Sequence, residues 1–154
     1  MDPGKRCLFV VEDDADLHLL FARVAEREGF RVDSAQSGDQ ALLALKKLGK
    51  RVDALLTDIR LPGHIDGWAL GQEFTRLYPD ASVIYVSGVE ADQAQRGPNS
   101  LFLQKPVHVL NLTAALRRIR DPRRGDLATR SWGKPPDRSR PGRPIADLRE
   151  RSGS

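Results

Sequence analysis

Short apolar runs alternate with amphipathic stretches along the first 120 residues of the chain. Runs such as Leu8 to Val11 and Val83 to Val86 lack polar alternation, which is typical of strands buried on both faces. Between the runs, apolar residues recur every three or four positions, as in a helix with one buried face. The predicted strands are residues 6–11, 31–35, 52–57, 82–86 and 101–104. The predicted helices are residues 15–28, 37–49, 66–78 and 107–120, with room for only a turn or two of helix between 89 and 99.

This alternation of strands and helices predicts an α/β fold. Consecutive parallel strands need a crossover connection, and a helix packed on the sheet supplies it with a right-handed turn. We therefore expect a doubly wound, five-stranded parallel sheet that is covered by helices on both faces.

The last 34 residues differ in composition from the rest. They contain half of the ten prolines, eight arginines and few large apolar side chains. Residues 1–120 hold 16 basic and 16 acidic groups, whereas residues 121–154 hold nine basic and five acidic groups, so the tail carries the whole net charge of +4. Such a segment cannot bury enough apolar area to offset its chain entropy. We predict a folded domain at residues 1–120 and a flexible Pro/Arg-rich tail at residues 121–154.

Several classes of protein are excluded by composition. No apolar run approaches the length of a membrane span, and the apolar run after the basic N-terminus is only long enough for a strand. The single cysteine, Cys7, excludes an internal disulfide framework and a zinc site built from cysteines. We expect a cytoplasmic protein with no membrane partner, in which Cys7 is a buried core thiol.

Polar residues follow four of the predicted strands at the point where each strand ends. They are Glu12 and Asp13 after the first strand, Asp58 after the third, Ser87 after the fourth and Lys105 after the fifth. The carboxyl ends of parallel strands meet at one edge of the sheet, where ligands of open α/β sheets bind. Carboxylates packed together repel one another, and a site made only of oxygen ligands favours Mg²⁺. With a hydroxyl and an ammonium added, the set suits a phosphoryl group, with Asp58 as the nucleophile.

These five residues, in this order along the chain, resemble the response-regulator receiver family of two-component signalling over residues 5 to about 120. The resemblance implies the flavodoxin-like strand order 2-1-3-4-5. The stretch from Ser87 to Lys105 is a few residues shorter than in the family, so a shortened fourth helix is expected here. It also implies that Asp58 is the phosphoacceptor and that Asp13 is a direct ligand of Mg²⁺. Glu12 matches the acid that reaches the metal through water, and Arg60 matches the residue whose backbone carbonyl binds the metal.

The same resemblance assigns roles around the phosphoryl group. Ser87 matches the hydroxyl that turns toward it, Lys105 the lysine that binds it, and Phe102 the aromatic switch that moves with Ser87. Gly88 matches a small residue that keeps the site open. The bond between Lys105 and Pro106 is expected to be cis.

The function implied is that of a stand-alone response regulator. It would take its phosphoryl group from a sensor histidine kinase or a histidine phosphotransfer protein and then change its affinity for an unknown downstream protein. It would not be an enzyme beyond the phosphorylation and dephosphorylation of its own aspartate. The segment Leu61–Gly67 carries one residue more than the family pattern, which lengthens the loop beside the site.

Other functions are weighed against this one. A haloacid-dehalogenase type of hydrolase also forms an aspartyl phosphate, but it needs an Asp-x-Asp motif, and Asp58-Ile59-Arg60 lacks the second acid. No DNA-binding domain fits in the tail, so sequence-specific DNA binding is not expected. A receiver whose basic tail binds nucleic acid through charge remains an alternative.

Overall fold

The computed structural model describes residues 4–88 and 97–121. Its strands are β1 (Cys7–Val11), β2 (Arg31–Ala35), β3 (Ala54–Asp58), β4 (Ser82–Ser87) and β5 (Ser100–Gln104). Its helices are α1 (Ala15–Arg27), α2 (Gly38–Lys47), α3 (Gly67–Leu77) and α4 (Val109–Arg120). The tail beyond residue 121 and most of the short helix expected between residues 89 and 99 lie outside the described residues.

The five strands form one parallel sheet in the order β2-β1-β3-β4-β5. This confirms the predicted strand order and doubly wound topology. β1 lies next to β3 rather than at the edge, and all the strand pairs are parallel, so the carboxyl ends of β1, β3, β4 and β5 lie side by side.

Helices cover the sheet on two sides, and each side has its own apolar core. One core joins the sheet to α1 and α4 through Phe21, Val24, Leu112 and Leu116. The other joins the opposite face to α2 and α3 and contains Ala41, Leu45, Leu70 and Phe74. Burial of the central strands on both faces is the physical reason for their unbroken apolar sequences.

Polar side chains fix the starts of three helices. Asp14 accepts hydrogen bonds from the amides of Asp16 and Leu17, Ser37 accepts one from Gln40, and Asp66 accepts one from Ala69. Each cap satisfies amides that have no partner within the helix. The caps set where α1, α2 and α3 leave the loops at the carboxyl edge of the sheet.

Several element boundaries differ from the sequence prediction by one or two residues, and β4 ends at Ser87 rather than before it. β3 begins at Ala54 rather than residue 52, and Asp58 is its last residue rather than the residue after it. The Asp53 side chain explains the late start, since its Oδ2 accepts the Cys7 amide at 2.8 Å. α4 begins at Val109, two residues later than predicted, because His108 is an extended N-cap residue.

Two further expectations concern the ends of the sheet. Cys7 is a buried free thiol, and burial followed by its hydrogen bond to Asp33 raises its pKa to about 11. The peptide bond between Lys105 and Pro106 is cis, as expected.

Within residues 4–88 and 97–121, no helix has both the length and the apolar character required to cross a bilayer.

Candidate functional site

The predicted site residues meet at the carboxyl edge of the sheet. Glu12 directly follows β1, Asp58 ends β3, Ser87 ends β4 and Lys105 directly follows β5. The backbone amide of Lys105 donates to the carbonyl of Ser87 at 2.8 Å, which ties the end of β5 to the end of β4. The sheet order therefore brings together residues that are up to 93 positions apart in the chain.

Lys105 lies between the two buried carboxylates. Its Nζ is 2.7 Å from Asp58 Oδ2 and 3.2 Å from Glu12 Oε1. The side chains of Glu12 and Asp58 are 0% and 8% exposed, and that of Lys105 is 23% exposed. A charge pair that is shielded from water in this way is screened by salt much less than a surface pair.

Three carboxylates form a compact group of oxygen ligands. One carboxylate oxygen from each of Glu12, Asp13 and Asp58 lies within 4.8 Å of the others, and Asp13 is the exposed member of the group. Glu12 Oε2 is buried and has no hydrogen-bond partner. A buried carboxylate oxygen without a donor is costly, and a divalent cation would satisfy it. The residues present therefore fit a hard cation such as Mg²⁺.

The proton affinities of the group follow from burial and from charge. Burial, followed by repulsion from Asp58, raises the pKa of Glu12 to about 7, although Lys105 opposes the shift. Burial alone would lower the pKa of Lys105, but its hydrogen bond to Asp58 and the charges of Asp58 and Glu12 outweigh burial and raise that pKa. Without a cation, Lys105 thus supplies the positive charge of the cluster.

The backbone around Asp58 is closely packed. Asp58 Oδ1 accepts the Arg60 amide at 3.1 Å, and the hydroxyl of Thr57 donates to the carbonyl of Asp58 at 2.9 Å. A Cβ on Gly67 would collide with that carbonyl oxygen and lie 2.6 Å from the Cα of Ile59. The sequence predicts only that Gly67 lies at the start of a helix and does not indicate this contact. The Asp-Gly pair at the end of the loop is the one signal that the sequence offers for it.

The predicted switch residues are both buried. Ser87 is 1% exposed, and Phe102 is 2% exposed and belongs to the core beneath α2 and α3. Phe102 is the register partner of Tyr85 on the neighbouring strand. A Cβ on Gly88 would lie 3.9 Å from the Lys105 Cβ, which is an ordinary contact, so space remains above the site at this position.

The described histidines do not join the carboxylate group. His18 Nδ1 lies 3.3 Å from the backbone carbonyl of Glu12, and His64 is almost fully exposed on the loop after β3. Trp68 packs on Tyr85, with ring centroids 4.5 Å apart. These contacts indicate structural roles for His18 and Trp68.

Comparison with known proteins gives a consistent result. A match to the family described as the response regulator receiver domain covers residues 8–117. The sensor kinase CckA of Brucella abortus is 30% identical over 120 residues, which are 75% of this chain but 13% of CckA. The response regulator receiver protein CpdR of the same organism is 25% identical over 116 residues, which are 73% of this chain and 94% of CpdR.

Solved structures agree with the sequence matches. The crystal structure of a response regulator receiver protein from Sinorhizobium medicae superposes with a TM-score of 0.70 at 30% identity, covering 75% of this chain and 94% of that one. These similarities give no support to the hydrolase alternative or to nucleic-acid binding by the tail.

Proposed function

The chain belongs to the response-regulator receiver family of two-component signalling, and we propose that it is a stand-alone response regulator phosphorylated on Asp58. The observation that carries the proposal is the approach of Lys105 Nζ to Asp58 Oδ2 at 2.7 Å, beside the oxygen ligands of Glu12 and Asp13. An ammonium next to a buried carboxylate, beside a group of oxygen ligands that suits a cation, is an arrangement that stabilises a transferring phosphoryl group.

The reaction is the transfer of a phosphoryl group from a phosphohistidine, or from a small phosphodonor, to Asp58. A bond forms between a carboxylate oxygen of Asp58 and phosphorus, and the bond between phosphorus and the donor breaks. Mg²⁺, held by Asp13, Asp58, the Arg60 carbonyl and, through water, Glu12, would neutralise charge on the phosphoryl oxygens. Lys105 supplies a positive charge beside the acceptor, and the Ser87 hydroxyl donates a hydrogen bond to the new group.

The output of the proposed reaction is a shift between two conformations. The new phosphoryl group carries about 1.5–2 negative charges in place of the single charge of the Asp58 carboxylate. The buried edge of the sheet therefore gains about 0.5–1 negative charge next to Ser87 and Lys105. Phe102 is buried on β5 beside Tyr85 of β4. In the proposed switch, Phe102 moves with Ser87 and carries the change to the surface over those strands. If the phosphoryl group stabilises one of the two conformations by a few kcal/mol more than the other, that difference is enough to change which conformation is populated.

The partners proposed are a sensor histidine kinase or a histidine phosphotransfer protein upstream and a protein of unknown identity downstream. We place the reaction in the cytoplasm. We expect the protein to catalyse only the formation and hydrolysis of its own aspartyl phosphate. CpdR supports the stand-alone form, because the aligned segment makes up 94% of that receiver protein.

The direct test is labelling of the full chain with acetyl phosphate in the presence of Mg²⁺. Asp58→Asn removes the nucleophile and is expected to reduce the labelling to background, as judged by intact mass. Asp80→Asn is the matched control, since Asp80 is an exposed acid that precedes β4, far from the carboxyl edge. Undiminished labelling of the Asp58→Asn protein would falsify the proposal.

A further inference from the structure

The loop between β3 and α3 is attached at its middle to the first turn of α2. Asp39 Oδ2 accepts a hydrogen bond from the backbone amide of His64 at 3.0 Å. Gly63 has a φ of 92°, and a Cβ on it would collide with the same oxygen of Asp39. The backbone of residues 63 and 64 therefore wraps closely around one carboxylate oxygen of Asp39.

The residue before Asp39 makes a second close contact with this loop. A Cβ on Gly38 would collide with the carbonyl oxygen of Ile65 and would lie 3.1 Å from the Ile65 Cβ. The first turn of α2 thus touches three consecutive residues of the loop, from Gly63 to Ile65.

The base of the loop rests on the phosphoacceptor. The Ile59 amide donates to the carbonyl of Val86 at 2.9 Å, and the Ile59 carbonyl accepts the Gly67 amide at 2.7 Å. Between these fixed ends, the Arg60 amide donates to Asp58 Oδ1. The loop is therefore closed at both ends next to Asp58, and its middle is held by α2.

We infer that Asp39 is a positioning residue that holds this loop in the conformation in which the backbone of Arg60 contacts Asp58. The inference rests on the proposed function, in which the Arg60 carbonyl contributes to the cation site. The loop has one residue more than the family pattern, and an additional residue adds backbone conformations that are lost when the loop is ordered. The hydrogen bond from His64 to Asp39 restricts those conformations before a cation or a phosphoryl group arrives.

An acid in the first turn of a helix has an ordinary role, which is to interact favourably with the helix dipole. Asp39 differs because the bond described for its side chain leaves the helix and ends on the loop amide. The His64 imidazole is 98% exposed and its Nδ1 is 3.9 Å from Asp39 Oδ2, so the contact depends on the backbone amide rather than on the ring.

Two substitutions at Asp39 separate the hydrogen bond from the charge. Asp39→Ala removes the acceptor, and we expect amide hydrogen exchange in residues 60–66 to become about fivefold faster and Mg²⁺ binding about three- to tenfold weaker. Asp39→Asn removes the charge but keeps an acceptor oxygen, so both properties are expected to stay near those of the wild type. Exchange is followed by mass spectrometry, and Mg²⁺ binding to the full chain by calorimetry.

Two further variants control the interpretation. His64→Ala keeps the backbone donor and is expected to behave like the wild type. Gly63→Ala places a Cβ against Asp39 and is expected to change exchange and Mg²⁺ binding in the same direction as Asp39→Ala, which provides a second test at a different residue.

The inference is overturned if Asp39→Ala leaves the exchange of the loop unchanged, or if Asp39→Asn is impaired as much as Asp39→Ala. It fails separately from the proposed function. If acetyl phosphate does not label Asp58 but the two Asp39 variants differ in loop exchange, the proposed function is wrong and the loop attachment stands. If Asp58 is labelled and the variants exchange alike, only the inference about Asp39 is wrong.

Discussion

Glu12 is the most constrained single residue of the site. Its side chain is buried, one oxygen contacts Lys105, and the other has no hydrogen-bond partner. Burial and the charge of Asp58 both favour the protonated form, which raises the pKa to about 7. In the absence of a cation, the folded protein therefore binds a proton at a pH at which the unfolded chain has released it.

This difference predicts a pH dependence of stability in protein freed of divalent cations. Between the ordinary value of 4.5 and the raised pKa of about 7, the folded state keeps the Glu12 proton and the unfolded state does not. The free energy of unfolding should therefore fall by roughly 1–3 kcal/mol as the pH rises through this window. Urea titrations at pH 4.5 and pH 7.5 in EDTA measure the change.

Glu12→Gln should remove most of this slope because the amide does not titrate. Glu73→Gln, at an acid that is partly exposed on α3 and paired with Arg76, should keep it. An unchanged slope in the Glu12→Gln protein would assign the pH dependence to other groups.

At the scale of residues, the sequence was sufficient to predict the position of the site residues that lie at the ends of strands. Asp58, Ser87 and Lys105 follow from the rule that parallel strands end at one edge of the sheet. The contact between Asp39 and His64 spans 25 residues and joins a helix start to a loop. No periodicity or motif marks such a contact, since it depends on the exact path of a loop whose length departs from the family pattern.

At the scale of elements, α3 is joined to β3 by a close backbone contact at Gly67. The Gly67 amide donates to the Ile59 carbonyl at 2.7 Å, and the space where a Cβ would stand is filled by the backbone of Asp58 and Ile59. The first turn of the helix therefore lies directly against the end of the strand that carries Asp58.

Gly67→Ala is expected to destabilise the protein by about 2 kcal/mol or more, because α3 must move away from β3 to admit the methyl group. Gly88→Ala is a matched control at the same edge of the sheet, where a Cβ makes only an ordinary contact, and it should change stability by less than about 0.5 kcal/mol. Denaturant unfolding of both variants checks the difference. Equal stabilities would mean that the backbone at Gly67 relaxes without cost.

Element types were more predictable than element boundaries. Buried apolar runs and helical spacing determine the types, and these were confirmed for every strand and helix that the structure describes. The late start of β3 was not predictable, because the Asp53 side chain binds the Cys7 amide in place of a backbone partner. Here a side-chain carboxylate replaces a backbone carbonyl as the hydrogen-bond acceptor. This depends on the contact between two strands, which the sequence of β3 alone does not reveal.

At the scale of the whole molecule, the carboxylate group joins parts of the chain that are distant in sequence. Glu12 and Asp13 follow β1, Asp58 ends β3, and these ligand atoms are within 4.8 Å of one another only in the folded sheet. A cation that binds this group binds the folded state and has no comparable site in the unfolded chain. By mass action, Mg²⁺ at a hundred times its dissociation constant should add about 2.7 kcal/mol to the free energy of unfolding.

The prediction is that Mg²⁺ raises the melting temperature of the wild type in proportion to the logarithm of its concentration above the dissociation constant. Asp13→Asn should largely remove this rise, because Asp13 is the exposed acid of the group and can be replaced without leaving a buried charge unpaired. Asp16→Asn, at an exposed acid in the first turn of α1, should retain it. Thermal unfolding in EDTA and at increasing Mg²⁺ measures all three proteins. If Asp13→Asn and Asp16→Asn respond alike, the stabilisation comes from general screening of acidic charge, and the three carboxylates do not act as one cation site.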